Sequence, residues 1–183
     1  MIFESKTIRL KNGETVVLKS PAPGDGAKML RYIKTACSET EYLARYPEEW
    51  DGVSVENEEQ WIKNGRESGS TVLISCYADG EVVGNCEIRF HTGMKDSHRA
   101  TVAIAILKKF WGLGIGSAMF EELIAAATSH GGTEIVELEF MEGNDRARAL
   151  YEKFGFRIVG ERPNAFKLKD GSIKMEYFMQ KVL

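Results

Sequence analysis

Residues 100 to 141 constrain the fold more than any other stretch of the chain. Ala100 to Leu107 is an apolar, partly β-branched run; KKFWGLGIGS follows, and then Met119, Phe120, Leu123, Ile124 and Ala127 fall at helical spacing. A short apolar run of this kind predicts a strand, and apolar residues three and four apart predict an amphipathic helix. His130-Gly131-Gly132 then ends the helix, because glycine takes the left-handed cap without steric cost, and Glu134 to Met141 predicts a second strand. The order is strand, glycine loop, helix, strand: a βαβ unit.

Where a strand runs through Gly112-Leu113-Gly114-Ile115-Gly116 into a helix, free backbone N–H groups gather at the positive end of the helix dipole. That makes an anion site, and glycines let the backbone approach a diphosphate without a Cβ in the way. The plainer reading is that the glycines only allow a tight turn. A nucleotide-triphosphate loop needs Lys and then Ser or Thr after its last glycine, and no Lys follows Gly116. The dinucleotide fingerprint is nearer, with Glu137 placed about where a ribose-binding acid is sought. Its spacing is GxGxxG, however, whereas here the glycines run GxGxG and follow the strand only after Lys108-Lys109-Phe110-Trp111.

Outside this unit, Asn12-Gly13, Asp79-Gly80 and Asp170-Gly171 each separate two strand-like runs, and such pairs favour the type I′ hairpin turn. Three antiparallel hairpins are expected. In the last, Ile173, Met175, Tyr177 and Met179 alternate with Lys174, Glu176, Phe178 and Gln180, which predicts a strand with the second set on its polar face. Residues 24 to 68 predict two helices joined by a loop, patterned around Met29, Leu30 and Ile33 and around Glu58, Trp61 and Ile62. Asn144 is an expected N-cap, with Ala147, Leu150, Tyr151 and Phe154 on one helix face before Gly155 stops the helix.

No linker or repeat divides the chain, so one domain over residues 1–183 is expected. A net charge of -3 without a basic stripe argues against nucleic acid. No window approaches a membrane span, and the first residues lack a secretory apolar region, so a cytoplasmic protein is expected. Cys37, Cys76 and Cys86 lack CxxC spacing and the three histidines lack ligand spacing, so neither disulfide nor metal is expected.

ILKKFWGLGIGSAMF and LEFMEGNDRARALYEKFGF closely resemble the two signature stretches of the GNAT N-acetyltransferase superfamily. The first stretch matches the family's Arg or Gln, two residues, Gly, one residue, Gly or Ala at Gly114 and Gly116. It departs at Trp111, which offers neither guanidinium nor amide. The second matches N-x-x-A-x-x-x-Y-x-x-x-G-F at Asn144, Ala147, Tyr151, Gly155 and Phe156.

The resemblance implies an α+β fold in α/β/α layers, with a mixed, mostly antiparallel sheet and a splayed βαβ unit that binds acetyl-CoA. Backbone at Ile104 and Ile106 would hold the pantetheine amides. The segment Trp111, Gly112, Leu113, Gly114, Ile115, Gly116 and Ser117 would hold the pyrophosphate and Asn144 would also contact the cofactor, while Lys108 and Lys109 either reach its phosphates or form a solvated pair.

Tyr151 would give a proton to the departing thiolate. Glu139, five residues before Asn144, matches the glutamate that ribosomal-protein alanine acetyltransferases use as general base; Glu137 and Glu87 are the alternatives. The need for a base depends on the acceptor. A lysine-type amine is only about 0.1% neutral at pH 7.4, a cost of roughly 4 kcal/mol, whereas an α-amine loses well under about 1 kcal/mol. Residues Glu39, Thr40, Tyr42, Arg45, Trp61 and Phe166 would shape the acceptor pocket. Small amino acids, polyamines, amine-bearing antibiotics and peptide N-termini stay open as acceptors, as does a homodimer. The competing class is a non-catalytic acyl-CoA sensor of the same fold.

Overall fold

The structure, a computed structural model, describes residues 1–183. Strands β1 (Lys6–Arg9) and β2 (Thr15–Lys19) form the first hairpin, and helices α1 (Gly26–Glu39) and α2 (Val55–Glu67) follow. Next come the hairpin β3 (Thr71–Ala78) and β4 (Glu81–Phe90), strand β5 (Arg99–Ile106), helix α3 (Ile115–Ser129) and strand β6 (Ile135–Met141). Helix α4 (Asp145–Lys153) and the hairpin β7 (Arg157–Lys167) and β8 (Ile173–Val182) complete the chain. The fold is α+β, with one eight-stranded sheet in the order β1-β2-β3-β4-β5-β6-β8-β7.

All three hairpins are present, but only one has the turn expected. Asp79 and Gly80 both take positive φ, 49° and 81°, as a two-residue type I′ turn requires. At the other two only the glycine is left-handed, Gly13 at 92° and Gly171 at 86°. There the loops are wider: Gly13 N–H donates to Leu10 O and Gly171 N–H to Leu168 O, so the glycine closes an ordinary type I turn.

Every neighbouring pair of strands is antiparallel except β5 and β6. That pair is parallel and matches only Arg99–Thr101 with Ile135–Glu137. Beyond Thr101 the two strands part and leave a wedge between them. One apolar cluster of 23 residues, from Leu10 to Met179, packs α3 and α4 against one sheet face. A smaller cluster of Met29, Tyr32, Ala36, Ile62, Tyr77 and Val82 seats α1 and α2 on the other.

The helix boundaries follow local chemistry. Asn144 Oδ1 accepts from Ala147 N–H at 3.3 Å and caps α4, and Gly155 at φ 86° ends it. Ser54 and Asn57 form a reciprocal capping box at the start of α2. In α3 the left-handed residue after the helix is Gly132, at φ 90°, rather than Gly131.

On β8 the expected polar face is wrong at one position. Glu176 is buried, at 5% exposure, and Arg162 on the neighbouring β7 meets it at 2.8 Å. Because β8 lies inside the sheet between β6 and β7, its cross-strand partner overrides the simple alternation.

Candidate active site

The wedge follows from backbone parity. In the β4–β5 ladder Leu107 N–H donates to Val83 O, and the register pairs Asn85 with Ala105 and Glu87 with Ala103. Odd-numbered residues of β5 therefore turn their N–H and C=O toward β4. Ile104 and Ile106 turn theirs the other way, toward the gap where β6 has departed. At Ile106 the carbonyl is already taken, since Trp111 Nε1 donates to it at 2.6 Å. The groups left open are both of those at Ile104 and the N–H of Ile106.

Just beyond, Gly112 and Gly114 take φ of 77° and 103°, with no atom within 4 Å of the place a Cβ would occupy. The N–H groups from Gly112 to Ser117 find no acceptor inside the protein, as expected for a loop that opens a helix. Gly116 serves a different purpose. A Cβ there would lie 3.1 Å from Leu150, so this glycine lets the start of α3 approach α4.

These groups line a cavity of about 230 Å³. Ile104, Ile106, Trp111, Gly112, Gly114, Ile115, Gly116, Ser117, Asn144 and Tyr151 all border it. Leu113 does not: its side chain packs on the core and its carbonyl accepts Lys11 N–H at 3.1 Å. Lys108 and Lys109 also stand outside it, exposed to solvent, and Lys108 N–H donates to Glu39 Oε2 at 2.6 Å.

Positive charge comes instead from two residues that the sequence reading passed over, Lys11 and Arg146. The Arg146 guanidinium lies 4.0 Å over the Trp111 ring and has no acidic partner. Its presence could have been anticipated from NDRARA, where it stands two residues after the N-cap and so beside the first turn of α4. Thr40 and Tyr42, expected around the acceptor, line this cavity too. Tyr151 is 6% exposed, and burial pushes its phenol up to about 12.

A second cavity, of about 540 Å³, lies on the α1–α2 face and shares Leu43, Ile104 and Ala105 with the first. Alternate residues of β5 on this face are alanines, Ala103 and Ala105, and their small side chains leave the space open. Arg45, Trp50, Trp61, Asn85 and Glu87 line it, as does Glu58, which no sequence motif singled out as a site residue. Phe166 borders neither cavity.

The structure separates the three candidate carboxylates. Glu137 is held by Arg99 at 2.6 Å and also accepts from Gln180 at 3.3 Å. Glu139 opens onto a third cavity, of about 400 Å³, together with Arg99, Glu137 and Phe178. It is not brought beside Tyr151. Only Glu87 faces the cavity that meets the end of β5, where its Oε1 accepts from Arg89 at 2.9 Å.

Residues 37–156, well over half of the chain, match the acetyltransferase (GNAT) family. The chain belongs to that family. It is an acetyl-CoA-dependent N-acetyltransferase.

Among curated relatives, the L-amino acid N-acetyltransferase AaaT of Escherichia coli (strain K12) is 29% identical over 114 residues, 62% of this chain and 69% of that protein. A GNAT-family acetyltransferase from Streptococcus pneumoniae shares the fold at a TM-score of 0.85 and 23% identity, over 92% of this chain and 99% of that one. The putative acetyltransferase yncA from Salmonella typhimurium, solved with its cofactor acetyl-CoA, superposes at a TM-score of 0.77 and 17% identity, over 93% and 95% of the two chains.

The residues of the wedge fit acetyl-CoA. A loop of unpaired N–H groups with no Cβ in the way suits a diphosphate. The open backbone groups at Ile104 and Ile106 suit an extended chain of amides. No helix of the GNAT protein is long and apolar enough to cross a membrane.

Proposed function

We propose that this GNAT enzyme, as one domain over residues 1–183, moves the acetyl group of acetyl-CoA to a primary amine by direct attack while both substrates are bound. The observation that carries the reading is the meeting of two cavities at Ile104 and Ala105: one is walled by the glycine loop, the other by Glu87 and the α1–α2 helices.

In this reading the N–H groups from Gly112 to Ser117 grip the pyrophosphate, and Arg146, placed over Trp111, adds the side-chain charge that Trp111 lacks. Ile104 offers a strand-like N–H and C=O to pantetheine, and the Trp111 indole holds Ile106 in place. When bound, acetyl-CoA supplies the activated thioester at the end of β5.

Tyr151 reaches that end from the α4 side. A phenol at about 12 is fully protonated near neutrality, so it is ready to donate. Its principal contribution is therefore a hydrogen bond that stabilises the leaving sulfur as charge develops there.

On the acceptor side, Glu87 is the carboxylate best placed to take the proton of the attacking nitrogen. Its position supports this role over Glu139, which faces another cavity. The experiment is a panel of amines read by thiol release, with Glu87→Gln and Glu139→Gln compared on the best acceptor across pH. For an alkylamine the Glu87→Gln defect should be greatest near neutrality and shrink as pH rises, because the amine arrives increasingly neutral. A silent Glu87→Gln beside a pH-dependent Glu139→Gln would return the base to Glu139. Acetyl-CoA binding without thiol release on any amine would overturn acetyl transfer itself.

A further inference from the structure

The acceptor cavity contains an acid that nothing in the protein satisfies. Glu58 lies in the first turn of α2 and is only 9% exposed, yet its carboxylate makes no hydrogen bond or ion pair. Three other acids of the α1–α2 face are engaged. Glu59 accepts the N–H groups of Gly24 and Gly26, at 2.9 and 2.7 Å. Asp25 accepts from Tyr77 Oη at 2.7 Å, and Asp51 pairs with Lys34 at 2.7 Å.

What remains open of Glu58 faces the cavity, alongside Met29, Ile33, Val53 and Trp61. Burial alone raises its carboxyl above the usual range, with no cation to offset it. The one cation on the same wall, Arg45, is turned to the Trp50 ring at 5.1 Å.

A buried, unpaired carboxylate destabilises a fold, and a glutamine would fill the same space without that cost. The first turn of α2 already has Glu56 to complement the helix dipole, so Glu58 is not needed there. Its chemistry is explained if its partner arrives with the substrate. Trp61 on the same wall adds an aromatic face of the kind that attracts an alkylammonium.

We propose that Glu58 receives a second cationic group of the acceptor, so that the enzyme favours two-amine substrates, with one nitrogen at the end of β5 and the other on Glu58. This rests on the acetyl-transfer reading of the joined cavities and narrows its acceptor class to diamines and their longer relatives. A monoamine would leave Glu58 unpaired, and a free α-amino acid would bring a second carboxylate against it.

The test compares α,ω-diamines of increasing length, n-alkylamines of the same lengths and free amino acids, using thiol release by wild type and Glu58→Gln. At the best length, the wild-type kcat/KM for the diamine should exceed that for the matched monoamine by about 10- to 100-fold, the usual span of a hydrogen bond to a charged group. In Glu58→Gln this ratio should collapse toward one, mainly through KM. Equal or better use of monoamines or amino acids by wild type, or a diamine preference that survives in Glu58→Gln, overturns the proposal.

Thermal melting in the presence of CoA separates this proposal from the reading it rests on, because it needs no turnover. The diamine should raise the melting temperature of wild type and not of Glu58→Gln, even if no acetyl transfer is found. Without ligand, Glu58→Gln should melt above wild type at neutral pH, since a buried charge has been removed. A lower melting temperature, or no diamine effect on wild type, would assign Glu58 to the architecture of α2 instead.

Discussion

Trp111 occupies the position where the family pattern has Arg or Gln, and two contacts show how the chain accommodates it. Its indole N–H closes on Ile106 O at 2.6 Å, and its ring supports Arg146 at 4.0 Å. A guanidinium thus reaches the glycine-loop end of the cavity from α4 rather than from the loop. Arg146 and Tyr151 are five residues apart in sequence, yet they should affect the reaction differently. Arg146→Ala should weaken acetyl-CoA binding by about 10- to 100-fold, one hydrogen bond to a charged group, with a smaller loss at high salt and little change in kcat. Tyr151→Phe should leave that affinity near wild type and lower kcat by about 10- to 100-fold, because the ring still packs beside Phe120 and Phe140 while the donor is gone. Calorimetry with acetyl-CoA and saturation kinetics on both variants give the split. A kcat loss in Arg146→Ala with unchanged affinity would move Arg146 from the phosphates to the chemistry.

The loop between β5 and α3 depends on glycine for two separate reasons, which sets a prediction on each side. Gly114→Val places a β-branched residue at φ 103° and puts its side chain into the mouth of the N–H cradle. Strain of about 1–2 kcal/mol should lower the melting temperature by a few degrees, while acetyl-CoA affinity falls far more than stability does. Gly116→Ala, which must displace Leu150, should act chiefly on stability. Comparable affinity losses in the two variants would show that the cradle and the packing cannot be separated. Much of this element was legible in the sequence, because a β-branched run, a glycine loop and a helical period are local signals. The hairpin at Asp79-Gly80 was legible for the same reason. What escaped was non-local. Glu176 reads as polar on its own strand, and only Arg162 across the sheet explains its burial. Glu139 sits at the spacing of a family base, yet its cavity is set by β7 and β8. Glu58 left a trace, for it shares a helix face with Trp61 and Ile62, but its isolation depends on where the other charges point.

The sheet links two cores on opposite faces, and the two cavities meet at the strand between them. Leu43, Ile104 and Ala105 border both, so an amine on the α1–α2 side and a thioester in the wedge would be neighbours across the same stretch of β5. The competing route would pass the acetyl group through a protein nucleophile, and Cys37 is the one cysteine on either cavity. Burial raises its thiol, so thiolate, the form that attacks, is scarcer there than in water. Initial rates measured over a grid of acetyl-CoA and amine concentrations should therefore give intersecting double-reciprocal lines, the pattern of a ternary complex. Parallel lines are the signature of a covalent acetyl-enzyme. Cys37→Ala should retain turnover within a few-fold of wild type, and acetyl-CoA mixed with enzyme in the absence of amine should give no stoichiometric burst of free thiol. A burst that Cys37→Ala abolishes would mean that the acetyl group stops on the protein before it reaches the amine, and the shared border of the two cavities would then be a relay point at α1 instead of the place where amine and thioester meet.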